Sequence, residues 1–113
     1  MQLPMLALAL APLLVSGVKA QATVKPPAAT ATITQENLLF QPGELTVRRG
    51  TLLQFPNRDG VFHSVYCASG SQTFDLGLHA TGPGPSVLVV ATGDLEIRCR
   101  VHRRMRAHVH VAP

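Results

Sequence analysis

Residues 95–111 read LEIRCRVHRRMRAHVHV. Leu95, Ile97 and Cys99 alternate with Glu96, Arg98 and Arg100, and Val109 and Val111 alternate with His108 and His110. Apolar side chains at every second position line one face of a β-strand, so the stretch predicts two half-buried strands with a tight loop between them. The same period runs back along the chain. Leu45 and Val47 share a face within Glu44–Arg48, Leu53 and Phe55 within Thr51–Phe55, and His63, Val65 and Cys67 within His63–Cys67. Ile33 centres a first short strand, Phe40 marks an edge, and Phe74–Leu78 is a short extended piece. The nearly continuous apolar run Ser86–Ala91 predicts a central strand. Turn residues separate these segments at Pro42-Gly43, Arg49-Gly50, Pro56–Gly60, Thr81–Pro85 and Thr92–Asp94. The pattern predicts an all-β fold, a Greek-key antiparallel β-sandwich of seven to eight strands.

A chain of 113 residues holds one domain. Only 14% of its residues are charged, which argues against a coiled coil, and nine Gly with nine Pro favour strands and turns. A multidomain enzyme and a polytopic membrane protein are excluded, and two Cys cannot build a disulfide scaffold. Residues 1–20, MQLPMLALALAPLLVSGVKA, read as a signal peptide. The apolar stretch Leu3–Val15 is interrupted by Pro4 and Pro12 and falls short of the ~20 residues of a membrane span. Small residues at Val18 and Ala20 place the cut before Gln21, with a cut before Thr23 as second choice. No Lys or Arg precedes the apolar run, which keeps an uncleaved anchor helix as the alternative. Residues 21–30 read as a flexible lead-in and 31–113 as the folded domain. Export implies an oxidising compartment, the periplasm of a bacterium, with no stable membrane insertion after cleavage. The exported chain carries 9 Lys+Arg against 6 Asp+Glu, and Arg98, Arg100, Arg103, Arg104 and Arg106 concentrate its positive charge.

The chemistry lies in Cys99-x2-His102-x2-Met105 at the end of a strand, with His63 opening an earlier strand directly after a loop. A thiolate, two imidazoles and a thioether are the donors of a type 1 (blue) copper site, with Met as the weak axial ligand. Soft sulfur favours Cu(I), imidazole serves both oxidation states, and a constrained site keeps reorganisation small. Met105 is the only Met beyond residue 20. If strand His63–Cys67 runs antiparallel beside strand Leu95–Cys99, His63 meets Cys99 and the donors gather at one end of the sandwich.

From Phe40 to Val111 the chain resembles a small cupredoxin. The matching pieces are Phe40-x-Pro42, Leu45-x-Val47-x-x-Gly50, Phe55-x-Asn57, His63-x-Val65 and the closing Cys99-x2-His102-x2-Met105 with Val109 and Val111. The short ligand spacing is similar to the amicyanin type, shorter than in plastocyanin or azurin. Segments Phe55–Tyr66 and Phe74–Leu78 look closer still to small exported plastocyanin-like proteins often labelled methylamine-utilisation proteins. The resemblance implies one type 1 copper ion held by His63, Cys99, His102 and Met105, and periplasmic electron transfer without catalysis, so the chain is not an enzyme. Two departures stand out. Ser64 occupies the position where many cupredoxins place an Asn that tethers the ligand loop, although its backbone N–H can still reach the Cys99 sulfur. Arg100, Val101, Arg103 and Arg104 stand where Pro is common, which implies a looser, strongly basic loop.

Other readings stay open at this level. Cys99, His102 and Met105 could be a buried thiol, a surface imidazole and a core thioether. Cys67 and Cys99 could pair, although a His63–Cys99 register would set them roughly 13 Å apart along the strands, beyond the ~6.8 Å that a disulfide tolerates. His108 and His110 read as solvent-facing strand residues, with a surface metal site as the alternative, and His79 receives no role. The arginine run is either a solvated edge or a steering surface for an acidic redox protein. One Tyr and no Trp make nucleic acid a poor partner, and the chain is expected to be a monomer. A copper chaperone or storage module, or a metal-free interaction sandwich, are the competing functions.

Overall fold

The structure is a computed structural model that describes residues 29–113 together with the isolated positions Gln2 and Pro27. The predicted signal peptide and its cleavage sites lie outside the described residues. Among the described residues ten strands follow one another: β1 (Ala29–Thr32), β2 (Thr34–Glu36), β3 (Leu39–Gln41), β4 (Glu44–Arg48), β5 (Thr51–Gln54), β6 (His63–Cys67), β7 (Phe74–His79), β8 (Ser86–Leu88), β9 (Gly93–Arg98) and β10 (Arg106–Ala112). No helix occurs among the described residues.

Five strands form one sheet in the order β4-β10-β9-β6-β7, three form a second in the order β1-β5-β8, and β2 pairs with β3. The chain crosses between the two larger sheets at β4–β5, β5–β6, β7–β8 and β8–β9, as a Greek-key sandwich requires. Alternation drives the packing. Along β10, Ala107, Val109 and Val111 are buried while Arg106, His108 and His110 are exposed. Leu95 and Ile97 of β9, Val65 of β6 and Val47 of β4 join them in one core with Ile33, Leu53, Phe55 and Val89. Burying side chains of this size contributes about 1.5–3 kcal/mol each, which is how so small a domain holds together.

Several local expectations differ. Ala29 and Thr30, read as the end of the lead-in, belong to β1. Strand direction is mixed, because β1 runs parallel to β5 and β4 parallel to β10. A period of two is the same for either direction, so alternation could not reveal this. Ten strands replace seven or eight, because the segment around Ile33 divides into β1 and β2 and Phe40 sits in a strand of its own. Ser86–Ala91 is not a central strand. Only Ser86–Leu88 forms β8, at an edge of the three-stranded sheet, with Val90 57% exposed and Val89 fully buried. A short apolar run does not by itself report whether both of its faces are covered.

The 81–85 loop seals one end of the core. Phe55 N–H donates to the Pro85 carbonyl, and Asn57 and Gly82 exchange two backbone bonds of 2.9 Å. Gly84 makes this approach possible, with φ of +68° and no room for a side-chain carbon, which would overlap the Phe55 carbonyl oxygen and lie 2.7 Å from its carbon. Gly84→Ala is therefore expected to destabilise the domain by about 2–4 kcal/mol, combining left-handed strain with steric overlap. Thermal unfolding checks this, and an unchanged Tm would refute it.

Candidate metal centre

Neighbouring strands and the loops at one end of the sandwich supply the predicted ligands. Cys99 follows β9 directly, and the loop to β10 turns tightly, with the Met105 N–H donating to the His102 carbonyl at 3.0 Å. His63 opens β6, which lies beside β9 in the five-stranded sheet. The single β6–β9 ladder pair is Tyr66–Arg98. Continuing it by one step sets Val65 across from Cys99, so His63 is not directly opposite. Cys99 reaches His63 instead by lying just beyond the end of its strand. With this register Cys67 and Cys99 are roughly 8 Å apart, still too far for a disulfide, and both thiols are free and buried.

One ligand atom from each of His63, Cys99 and His102 lies within 4.8 Å of the others. His63 Nδ1 is 3.1 Å from His102 Nδ1, and Cys99 Sγ is 3.9 Å from His102 Nδ1. The triangle is near the size one ion needs. Metal–nitrogen bonds of about 2.0 Å and a metal–sulfur bond of about 2.3 Å, spread over a trigonal plane, place the nitrogens about 3.5 Å apart and each nitrogen about 3.7 Å from the sulfur, close to the distances found here. Met105, in the same loop, is fully buried within the hydrophobic core.

His63 and Cys99 are each oriented by a partner. The loop before His63 is closed by buried Asn57, whose Nδ2 donates to the Val61 carbonyl and whose Oδ1 accepts the Asp59 N–H at 2.9 Å. This folds Asp59 back so that its carboxylate accepts from His63 Nε2 at 2.7 Å. With the hydrogen on Nε2, the Nδ1 lone pair faces His102. Asp59 also accepts the backbone N–H groups of Asn37 and Leu38, at 2.8 and 3.0 Å, two left-handed residues whose amides converge on it. Burial disfavours the ionised form of Asp59, but the His63 hydrogen bond and the Leu38 and Asn37 amides outweigh it and hold its carboxyl below the ordinary carboxylate range.

Ser64 does more than its backbone alone predicts. Its N–H donates to Cys99 Sγ at 3.4 Å, as expected, and its hydroxyl oxygen accepts the Arg100 N–H at 2.8 Å. The hydroxyl thus ties the ligand loop to β6, the work an Asn side chain was expected to do. The loop is also less loose than its lack of Pro implied. Arg100 stacks 4.0 Å over the Tyr66 ring and pairs with Asp75 at 3.1 Å.

Two contributors lay outside the sequence reading. Asp59 is one of five turn residues in Pro56–Gly60, and only its return onto His63, four residues on, marks it out. His79, left without a role, pairs with His63 across β6 and β7. Its Nε2 accepts from buried Gln35 at 2.7 Å and its Nδ1 faces the Gly77 carbonyl. Burial pushes its pKa down, partly opposed by the Gly77 bond, which suits the neutral ring that this pairing needs.

No protein-family model and no curated sequence matches the chain. Solved structures do. It is similar to a reduced tryptophan-to-tyrosine mutant of amicyanin, with 20% identity, a TM-score of 0.68 and 80% of this chain covering 88% of that one. A Cu(I) methionine-to-alanine mutant of amicyanin gives 18% identity and a TM-score of 0.68, with 80% of this chain on 95% of that one. An oxidized proline-to-alanine mutant gives 21% identity and a TM-score of 0.67, with coverage of 80% and 88%. The described chain is thus folded as a small cupredoxin, the all-β sandwich of amicyanin, with a His-Cys-His cluster able to bind a metal at one end.

Proposed function

We propose that this protein is a periplasmic one-electron carrier that uses a single type 1 copper ion held by His63, Cys99, His102 and Met105. The observation that carries the reading is the triangle of two imidazole nitrogens and one sulfur, with His63 and Cys99 buried and His102 partly exposed. Copper supplies the Cu(I)/Cu(II) couple when bound. The chain's part is to keep the donors still: Asp59 orients His63, and the Ser64 N–H stabilises charge on the Cys99 sulfur. Donors that barely move between oxidation states keep reorganisation small, which is what a carrier needs.

The surface supports a direction for the electron. Cys99 and Met105 are buried and His63 is wholly buried, whereas His102 is partly exposed. His102 lines a groove with Leu38, Leu39, Arg103 and Arg104, an apolar and basic rim suited to an acidic redox protein. Arg98 is engaged by Glu96 and Arg100 by Asp75, so Arg103 and Arg104 are the arginines of the run placed for steering at this groove.

The test is spectroscopic and electrochemical. Cu(II) added to the exported chain is expected to produce the intense visible absorption of a copper–thiolate bond, and voltammetry a reversible one-electron wave. Absorption without a reversible wave would point to a copper chaperone or storage module. Absence of both would end the copper reading and leave an interaction sandwich.

A further inference from the structure

The exposed face of β10 carries a feature that the copper centre does not use. His108 and His110 are alternate residues on this strand, so both project outward while Val109 and Val111 fill the core. Register sets Asp94 of β9 across from His110, and Glu96 of β9 and Glu44 of β4 on either side of His108. Three of the six carboxylates of a chain with net charge +4 therefore surround two imidazoles on one sheet face. One oxygen, Asp94 Oδ1, lies 2.9 Å from His110 Nδ1 and 3.2 Å from His108 Nε2.

We propose that Asp94, His108 and His110 form a second metal site, for a borderline divalent cation such as zinc, on the outer face of the five-stranded sheet. Two imidazoles with one carboxylate suit zinc and cupric copper better than harder ions such as magnesium or calcium. Asp94 already bridges the two rings, and the imidazoles must swing toward each other to complete the site. Bonds of about 2.0–2.2 Å to one tetrahedral ion separate adjacent donors by about 3.3–3.6 Å, so the shared oxygen, now hydrogen-bonded to both rings at 2.9 and 3.2 Å, needs to draw back by only a few tenths of an ångström to admit an ion. Alternate residues on a strand are about 6.6 Å apart, a gap that two imidazole arms converging on one ion can close. Both rings and the carboxylate are 51–65% exposed, so rotating them disturbs no core packing. The backbone beneath them is firm. β10 is the second strand of a five-stranded sheet, paired on both sides, and the Asp94 carbonyl accepts the Ser71 N–H.

The hydrogen bond from His110 to Asp94, helped by the charges of both imidazoles, holds this carboxyl below the ordinary carboxylate range despite some desolvation, so it presents an anion at neutral pH. The site is separate from the copper centre. His110 lies four residues along β10 from Arg106, roughly 13 Å toward the other end of the sandwich. It contains no sulfur, so a metal bound here would give no intense visible band.

Zinc titration followed by amide NMR tests the assignment on the full exported chain and on the double variant His108→Ala/His110→Ala. Amides of residues 94–96 and 108–110 are expected to shift and saturate at micromolar zinc. The double variant should lose those shifts or weaken them at least about tenfold. Its half-exposed positions leave the core untouched, and dispersed amides elsewhere would verify that it folds. Absence of shifts below millimolar zinc, or equal binding by wild type and double variant, would overturn the proposal. Shifts at His63, Cys99 and His102 report on the copper centre independently, so failure of one site leaves the other measurable.

Discussion

Cys99→Ser is expected to abolish the intense visible absorption of the copper-loaded protein and to weaken Cu(I) binding by more than about 100-fold. Loss of an outer partner of a metal ligand typically costs 10–100-fold, and here the soft donor itself is removed. A hydroxyl is a harder donor than a thiolate, so Cu(I) loses most. Cys67→Ser is the matched control. That thiol is buried, donates to the Ser69 carbonyl at 3.1 Å and lies on the other side of Tyr66 from the donor triangle. The control should retain the full band. A band that survives Cys99→Ser, or vanishes with Cys67→Ser, would remove the sulfur at position 99 from the centre.

Asp59→Ala should act on stability and metal binding together. The wild-type carboxylate accepts from a fully buried imidazole and from two backbone amides of the Asn37–Leu38 turn. The amides can turn to water, but His63 cannot, so removal should cost about 2 kcal/mol, chiefly from one buried donor left unpaired. For a domain of this size that lowers Tm by roughly 8–16 °C. Copper affinity should also fall by about 10–100-fold, because nothing then selects the tautomer and ring orientation of His63. Asp59→Asn keeps one acceptor oxygen and should fall between the two. Calorimetric unfolding and competitive copper titration measure both quantities. Wild-type values in Asp59→Ala would mean that His63 is held by its neighbours in β6 and β7 alone.

Much of this was legible beforehand, for reasons that can be traced to particular residues. Alternation placed Leu95, Ile97, Val109 and Val111 inside and His108 and His110 outside because burial on a strand follows parity alone. The approach of Cys99 to His102 was readable because side chains three residues apart on a tight loop meet at the tip of one turn. His63 was harder, since its approach depends on which strands become neighbours, and the predicted direct pairing with Cys99 was two residues out of register. Ser86–Ala91 misled because apolar content reports affinity for a core and not the number of strands flanking it. Asp59 was hidden because an acid in a turn looks like any other until the loop folds back.

The order of residues alone determined the β class, the outward and inward faces of the strands, and the closeness of Cys99 to His102, since all three depend on positions near one another along the chain. Tertiary structure decided the strand directions, the edge position of β8, the Asp59–His63 and Ser64–Arg100 bonds, and the meeting of Asp94 with both outer histidines. Each of these joins segments whose proximity arises from sheet pairing and loop return. No local periodicity encodes that, because it is set by how the whole core closes.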